Sequence, residues 1–118
     1  MADTALFVGW GARRGGRERG AAGVFGEALQ FFAACQQEGR IEGFEPFLLE
    51  WHGGDLAGFL LLRGAIEQLT VLRYSDDFQR LLERADIVVG NLGVVTAYTG
   101  ARLQQMMQNE GPNVADLM

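Results

Sequence analysis

The sequence has few of the residues that usually carry covalent or catalytic chemistry. It contains one cysteine, Cys35, so it cannot form a disulfide within the chain. It contains no lysine, and all ten basic residues are arginine. No apolar run reaches the length of a bilayer span, and the apolar residues 5–10 are too few for a secretory signal. We therefore expect a soluble, cytoplasmic protein that has no membrane partner.

The scarcity of nucleophiles and metal ligands narrows the possible chemistry. His52 is the only histidine, and together with Cys35 it supplies too few ligands for a zinc site within one chain. Ser75 is the only serine, and it precedes a predicted helix as an N-cap, which argues against a serine–histidine–aspartate triad. We expect neither a bound metal nor a cofactor.

Length and charge point to one acidic domain. A chain of 118 residues fits a single domain, which we expect to span residues 1–118. The net charge is −5, although the segment 13–19 carries +3, so the rest of the chain carries −8. An acidic surface is poorly suited to neutralising phosphates, and nucleic acid is therefore not expected as a partner.

Hydrophobic periodicity predicts alternating strands and helices. Short apolar runs are typical of buried strands, whereas apolar residues spaced three and four apart are typical of helices. The predicted elements are a strand at 5–12, a helix at about 17–38, a hairpin at 41–64, a helix after Ser75, a strand within 87–100, and a short C-terminal helix containing Leu103, Met106 and Met107 that stops near 109–112. This order predicts an α+β, ferredoxin-like βαββαβ fold with an antiparallel four-stranded sheet plus a C-terminal helix.

The hairpin indicates an uncovered apolar face. The pair Gly53–Gly54 predicts a two-residue turn that would place Trp51 opposite Leu56. Pro46 cannot donate to a ladder, so its strand belongs at an edge or carries a bulge. Two helices cover only one face of such a sheet. In this register the other face would expose Phe44, Leu48, Phe59 and Leu61.

Four large apolar side chains on one face favour a second protein surface against them. Burying each is worth roughly 1.5–3 kcal/mol, so the exposed set would act as an interaction site. We predict a homodimer that packs sheet against sheet. The alternative is that the C-terminal helix folds back over this face.

The order of elements, the "GG" hairpin, the "YSDDFQRLLERAD" helix and the "GVVTAYTG" strand resemble the dimeric α/β-barrel superfamily over residues 5–109. The resemblance implies that two ferredoxin-like subunits join their sheets into a barrel. Members of that superfamily include cofactor-independent monooxygenases, haem proteins, dehydratases and isomerases. No motif matches the catalytic set of one branch, so no functional residue is carried over.

The glycine- and arginine-rich segment after the first strand is the first candidate site. Gly9 and Gly11 fit a dinucleotide-binding fingerprint, but Arg14 occupies its third glycine position. What remains is a loop entering a helix, where free N–H groups and arginine forks favour anions. The candidate anion-binding residues are Arg13, Arg14, Arg17 and Arg19. The alternative is a solvated, mobile loop.

Two polar side chains are candidates for catalysis. His52 has Glu50 and Asp55 nearby, and a histidine held by a carboxylate can act as a general base near neutral pH. Tyr98 would need a hydrogen-bond partner if it were buried. Candidate pocket residues are Trp10, Glu50 and Trp51, with core packing and a solvent-exposed hairpin tip as the alternatives.

Three functions are consistent with these features. The first is a dimeric barrel that binds a small apolar or aromatic molecule. The second is a cofactor-independent monooxygenase or isomerase that uses His52 or Tyr98. The third is a regulatory module that binds a phosphate-bearing effector through the arginine segment. Whether the protein is an enzyme stays open at this point.

Overall fold

The computed structural model describes residues 3–117, which form a four-stranded sheet with helices against one face. The elements are β1 (Thr4–Trp10), α1 (Glu18–Gln37), β2 (Gly43–Leu48), β3 (Gly58–Gly64), α2 (Ile66–Arg73), α3 (Asp76–Val88), β4 (Gly93–Tyr98), α4 (Gly100–Val114) and a 3₁₀ turn (Ala115–Leu117). The sheet order is β2-β3-β1-β4 and every pairing is antiparallel. The predicted α+β, ferredoxin-like arrangement is confirmed, and the strand of Pro46 lies at an edge as expected.

The core lies between the sheet and the inner faces of α1, α2 and α3. Along α1 the buried positions fall three or four residues apart, as the apolar spacing predicts: Ala21, Val24, Ala28, Phe32 and Cys35. They pack over Leu6 and Leu62, which lie on neighbouring central strands. Burial raises the pKa of the Cys35 thiol. This cysteine therefore serves as a small apolar core side chain.

The register between β2 and β3 differs by one residue from the predicted one. Leu48 pairs with Gly58, and residues 49–57 form a longer loop than the expected two-residue turn, although Gly53 does adopt a positive φ of 84°. A shift of one residue moves every side chain of a strand to the opposite face. Phe44 and Leu48 therefore lie on the helix-covered side with Leu60 and Leu62, and their predicted place on the uncovered face is wrong.

The uncovered face, which we call the open face, is nevertheless apolar. Phe47 takes the place predicted for Leu48, opposite Phe59, and shares this face with Leu61. Three phenyl rings stack in a row across β2, β3 and β1. The ring centroids of Phe47 and Phe59 lie 4.7 Å apart, and those of Phe59 and Phe7 lie 5.1 Å apart. Val95 on β4 extends the row to the fourth strand.

The C-terminal helix does not cover the open face. None of the residues of α4 is buried, and Leu103, Met106 and Met107 are exposed. The predicted stop near 109–112 is wrong, because the helix continues through Pro112 to Val114. Across residues 3–117 no helix combines the length and the apolar character that crossing a bilayer requires.

The boundary between α3 and β4 also differs from the prediction. Ile87 and Val88 belong to α3, and the strand begins only at Gly93. β-Branched residues favour strands in isolation. Here the helical spacing of the preceding apolar residues continues through Val88, which is buried, and packing on that face overrides the local preference.

An ion pair joins the chain after α1 to the first turn of α3. Arg40 donates from Nη1 to Asp77 Oδ2 at 2.7 Å and from Nη2 to Asp77 Oδ1 at 3.0 Å. The N–H of Phe78 donates to Asp77 Oδ1 at 2.9 Å, and the Ser75 hydroxyl lies 2.8 Å from the same oxygen. Ser75 precedes the helix as predicted, but its side chain does not cap it. The Arg40 guanidinium, helped by these hydrogen bonds, holds the pKa of Asp77 well below its usual range.

Replacing Asp77 with asparagine should lower the free energy of unfolding at pH 7 by about 1 kcal/mol, a value that allows for the solvent screening of this half-exposed pair. The folded-state pKa of Asp77 lies below its unfolded value, so the pair stabilises the fold fully above about pH 4 and less as the pH falls further. In urea titrations the wild-type and Asp77→Asn values should converge below about pH 4. Glu83→Gln, a neutralised exposed carboxylate on the same helix, is the control. A gap that stays constant down to about pH 2.5 would contradict this account.

Candidate functional site

A cleft of about 830 Å³ lies between α1, α3 and one end of the sheet. Its floor consists of buried core side chains, among them Val8, Phe32 and Leu60. Its rim includes exposed residues from the segments that follow β1 and β2, such as Arg13 and Leu49. Because the floor is buried and the rim is exposed, the cleft opens to solvent. Pockets for small organic ligands have volumes of roughly 300–1,000 Å³, so this cleft is of suitable size.

The walls of the cleft are apolar. Among the described residues that line it, Arg13 is the one with a charge, and all the others are hydrophobic residues or glycine. The hydrophobic residues are mostly alanine, valine and leucine, with three aromatic side chains. Binding of an apolar molecule to such a surface is favourable by about 25 cal/mol for each Å² of apolar surface that is removed from water.

Trp10 is the predicted pocket residue that lies in the cleft wall. Its ring packs edge-on against Phe25, with centroids 5.7 Å apart, and both line the cleft. The ring also crosses β3 at Gly58, where a Cβ atom would approach Trp10 Cζ2 to 2.6 Å. Glycine at position 58 therefore lets the indole lie flat against the sheet. Together these contacts hold Trp10 at the end of β1.

Helix α3 supplies much of the opposite wall, and the sequence prediction missed this contribution. Its lining residues are Leu81, Leu82, Ala85 and Val88. They recur at intervals of three and four, which is the signal that could have identified them. The predicted helix contained Leu81, Leu82 and Ala85 but assigned its apolar stripe to the core, and Val88 fell outside it because the run "IVV" favours a strand.

An ion pair fixes α1 against α3 beside the cleft. Arg84 donates from Nε to Glu27 Oε2 at 2.9 Å and from Nη2 to Glu27 Oε1 at 2.6 Å. The pKa of the Glu27 carboxyl is lowered, chiefly by these hydrogen bonds from Arg84. Fork-to-fork pairs of this kind impose a defined geometry on their helices. The pair therefore links the two helices that form the side walls of the cleft.

The four arginines of the first candidate site have different environments. Arg13 lines the cleft, whereas Arg14 turns to α3, where its Nε donates to the carbonyl of Asp86 at 3.0 Å. Arg17 is the N-cap residue of α1 and Arg19 lies in its first turn, both exposed to solvent. The structure therefore brings one of the four to the cleft. Anion binding by the group as a whole stays a prediction.

His52 lies in the loop 49–57, where its ring contacts backbone groups. The N–H of Gly54 donates to Nδ1 at 3.2 Å, and Nε2 lies 2.9 Å from the carbonyl oxygen of Leu56. These partners imply that the proton is on Nε2, which then donates to Leu56. The expected partnership with Glu50 or Asp55 is replaced by these local bonds, which organise the loop. A catalytic role for His52 stays a prediction.

The two other predicted residues of this loop face solvent. Trp51 is 93% exposed and Glu50 is also exposed. The lining of the cleft takes Leu48 and Leu49 from this part of the chain. The physical reason is that β2 ends at Leu48 and residues 49–57 form a loop, whereas the predicted two-residue turn would have kept both residues in the strand.

Tyr98 lies at the other end of the sheet from the cleft. It pairs with Thr4 at the start of β1, and its ring is covered by the Arg102 guanidinium at 5.6 Å. The cleft lies beside Trp10, six residues along β1, which corresponds to about 20 Å in an extended strand. Tyr98 and His52 therefore do not meet at one site within a chain. Its catalytic role also stays a prediction.

Comparisons with known proteins support the fold. Searches find no matching family model and no matching curated protein. The chain is similar to a crystal structure of a dimeric protein of unknown function and ferredoxin-like fold from Bacteroides fragilis, with a TM-score of 0.60, 9% identity, and coverage of 80% of this chain and 95% of that one. It is also similar to SnoaB, a cofactor-independent oxygenase from Streptomyces nogalater, with a TM-score of 0.51, 18% identity, and coverage of 86% and 95%. These likenesses establish that the chain has a ferredoxin-like fold.

Proposed function

We propose that the protein binds a small apolar or aromatic molecule in the cleft between α1, α3 and the sheet. The observation that supports this best is the composition of the cleft, which is apolar on all sides except at Arg13. An open apolar cleft of this size in water is costly unless it is occupied, because the hydrophobic surface remains hydrated. The bidentate Arg84–Glu27 contact links the two helices that form the walls.

We also propose that the protein is a homodimer joined through the open face. Phe7, Phe47 and Phe59 form a continuous aromatic row that no helix of the described chain covers, and Val95 is exposed beside it. The ion pair between Arg63 and Glu45 lies at one margin of the face, at 3.4 Å. An apolar centre with a charged margin is typical of protein interfaces. The dimeric neighbour with the same fold is consistent with this arrangement.

A cofactor-independent oxygenase or isomerase is the second candidate, and the fold likeness to SnoaB is what favours it. Such chemistry needs a group that moves a proton to or from the substrate. Among the described residues that line the cleft, the one ionisable side chain is that of Arg13, and a guanidinium keeps its proton in proteins. Binding without proton transfer is therefore the better-supported function. The regulatory role of the arginine segment has less support, because of its four arginines only Arg13 lines the cleft.

Filling the cleft provides the test. Ala85 lines the cleft from α3 and is half-buried, so Ala85→Phe should place a ring in the space that the ligand occupies. We expect the affinity for a neutral naphthalene derivative, measured by calorimetric titration, to fall at least about tenfold. The matched control is Ala33→Phe, which adds the same ring to an exposed position of α1 outside the cleft.

Two outcomes would contradict the proposal. One is that the wild-type protein binds none of a panel of neutral apolar compounds in a saturable manner. The other is that Ala85→Phe and Ala33→Phe reduce binding equally. Thermal unfolding of both variants shows whether the added ring has disturbed the fold, since overpacking a filled core costs about 1–3 kcal/mol.

A further inference from the structure

We infer that the cleft selects an amphiphile with one anionic head, of the type of a medium- or long-chain fatty carboxylate. The inference rests on the proposed function, because it specifies the ligand of the same cleft. It is drawn from the distribution of polarity along the walls and from the position of Arg13.

The composition of the cleft walls favours a ligand whose polar groups are concentrated at one end. Among the described lining residues there is no serine, threonine, tyrosine, histidine, asparagine, glutamine, aspartate or glutamate. A ligand with hydroxyl or carbonyl groups distributed around its skeleton would find no side-chain hydrogen-bond partner on these walls except Arg13, and each unpaired group is costly. A hydrocarbon chain has no such groups. It also suits walls that are mainly alanine, valine and leucine.

Arg13 is held at the rim by its backbone. The segment after β1 forms hydrogen bonds with the segment after α3, so that Arg13 bridges Val89 in antiparallel fashion. The N–H of Gly11 donates to the carbonyl of Gly90 at 2.7 Å, the N–H of Gly90 donates to Ala12 at 2.9 Å, and the N–H of Arg14 donates to Val88 at 2.8 Å. This part of the arginine segment is therefore tied to the segment after α3 by backbone hydrogen bonds.

The guanidinium of Arg13 is available for a ligand. Within residues 3–117 it makes no ion pair, whereas the ion pairs present there involve Arg14, Arg40, Arg63 and Arg84. Arg14, its neighbour, lies 3.8 Å from Asp86 and so occupies the adjacent carboxylate. Arg13 thus presents an uncommitted positive charge at the mouth of an apolar cleft.

A ligand with a carboxylate head and a hydrocarbon tail suits both the charge of Arg13 and the apolar walls. The two oxygens match the planar donor fork of arginine, and the pair forms charge-assisted hydrogen bonds. The hydrocarbon tail then extends over the buried floor of Val8, Phe32 and Leu60. At a solvent-exposed rim we expect the head group to increase affinity about tenfold over that of an uncharged head.

The test compares three compounds that share a straight ten-carbon chain and differ in the charge of the head: decanoate, decanol and decyltrimethylammonium. Each is titrated calorimetrically at pH 8, below the micellar concentration of the two ionic compounds and below the solubility limit of decanol. We expect the wild-type protein to bind decanoate about tenfold more tightly than decanol and to bind the cation more weakly than either. Arg13→Gln should bind decanoate and decanol equally and keep the wild-type affinity for decanol.

The control variant is Arg17→Gln, which removes the same charge from an exposed arginine of the same segment that does not line the cleft. It should keep the preference for decanoate. A preference that survives Arg13→Gln, or that Arg17→Gln abolishes equally, would overturn the inference while the proposed function stands. Equal wild-type affinity for decanoate and decanol would overturn it in the same way. If none of the three compounds binds while the neutral naphthalene derivative does, the inference fails and the proposed function stands; if that derivative does not bind either, both fail.

Discussion

Replacing Phe59 with glutamate should convert the protein from dimers to monomers. Phe59 lies at the middle of the aromatic row, between Phe47 at 4.7 Å and Phe7 at 5.1 Å, on a central strand. In the proposed dimer this position is buried against the partner sheet. A carboxylate there would face an apolar surface without a partner, and the desolvation of an unpaired charge costs several kcal/mol. The dimer should therefore weaken by at least about a thousandfold.

Light scattering during gel filtration gives the mass directly. The wild-type protein should elute with twice the chain mass at micromolar concentration, and Phe59→Glu with the mass of one chain. The control is Val71→Glu, which places the same charge on an apolar residue of α2 that is 73% exposed and outside the sheet. It should remain dimeric. A Phe59→Glu protein that stays dimeric would show that the open face is not the interface.

Replacing Phe78 with alanine should remove a large part of the free energy of unfolding. Phe78 is 0% exposed, and its ring lies 6.0 Å from that of Phe32, which is also buried. Truncating a buried phenylalanine removes its transfer free energy and leaves a cavity, at a cost of about 3–5 kcal/mol. Since domains of this size are stable by about 5–15 kcal/mol, the loss is a large part of the total.

Urea unfolding at one fixed protein concentration measures this effect, because dimer formation makes the apparent stability depend on concentration. Phe78→Leu should lower the free energy of unfolding by less than Phe78→Ala does. It can therefore still be measured if the alanine variant is unfolded. Tyr74→Ala removes an aromatic ring that is 70% exposed, four residues earlier in the chain, and should change the stability by about 0.5 kcal/mol or less. Similar losses for Phe78→Ala and Tyr74→Ala would contradict the described core.

The parts of the fold that could be predicted from the sequence are those encoded by local patterns. β1 is a short apolar run and α1 has buried residues at helical spacing, and both lie within two residues of their predicted bounds. The register of β2 on β3 could not be predicted in this way. The pair Gly53–Gly54 is typical of a two-residue turn, but the chain forms a longer loop in which the Gly54 N–H donates to the His52 ring. The resulting difference of one residue in register moves the side chains of β2 to the opposite face of the sheet.

The candidate site could be predicted only in part, because it is assembled from segments that are far apart in the chain. Trp10 and Arg13 could be predicted, since the indole lies near the end of the first strand and the arginine follows that strand. The α3 wall depends on how the helix packs across α1, and its leucines and alanine carry no chemical signal of their own. The separation of Tyr98 from His52 follows from the strand order, which places them at opposite ends of the sheet.

Binding of an apolar molecule in the cleft can be measured with the indole of Trp10, which lies in the cleft wall. The protein has two tryptophans, so a Trp51→Phe variant leaves Trp10 as the only indole. We would titrate this variant with the neutral dye N-phenyl-1-naphthylamine and record energy transfer from Trp10. We expect energy transfer from Trp10 to the dye that saturates at one dye per chain. This transfer should be lost when Ala85→Phe is added and kept when Ala33→Phe is added. Transfer that does not saturate, or that Ala85→Phe leaves unchanged, would contradict binding in the cleft.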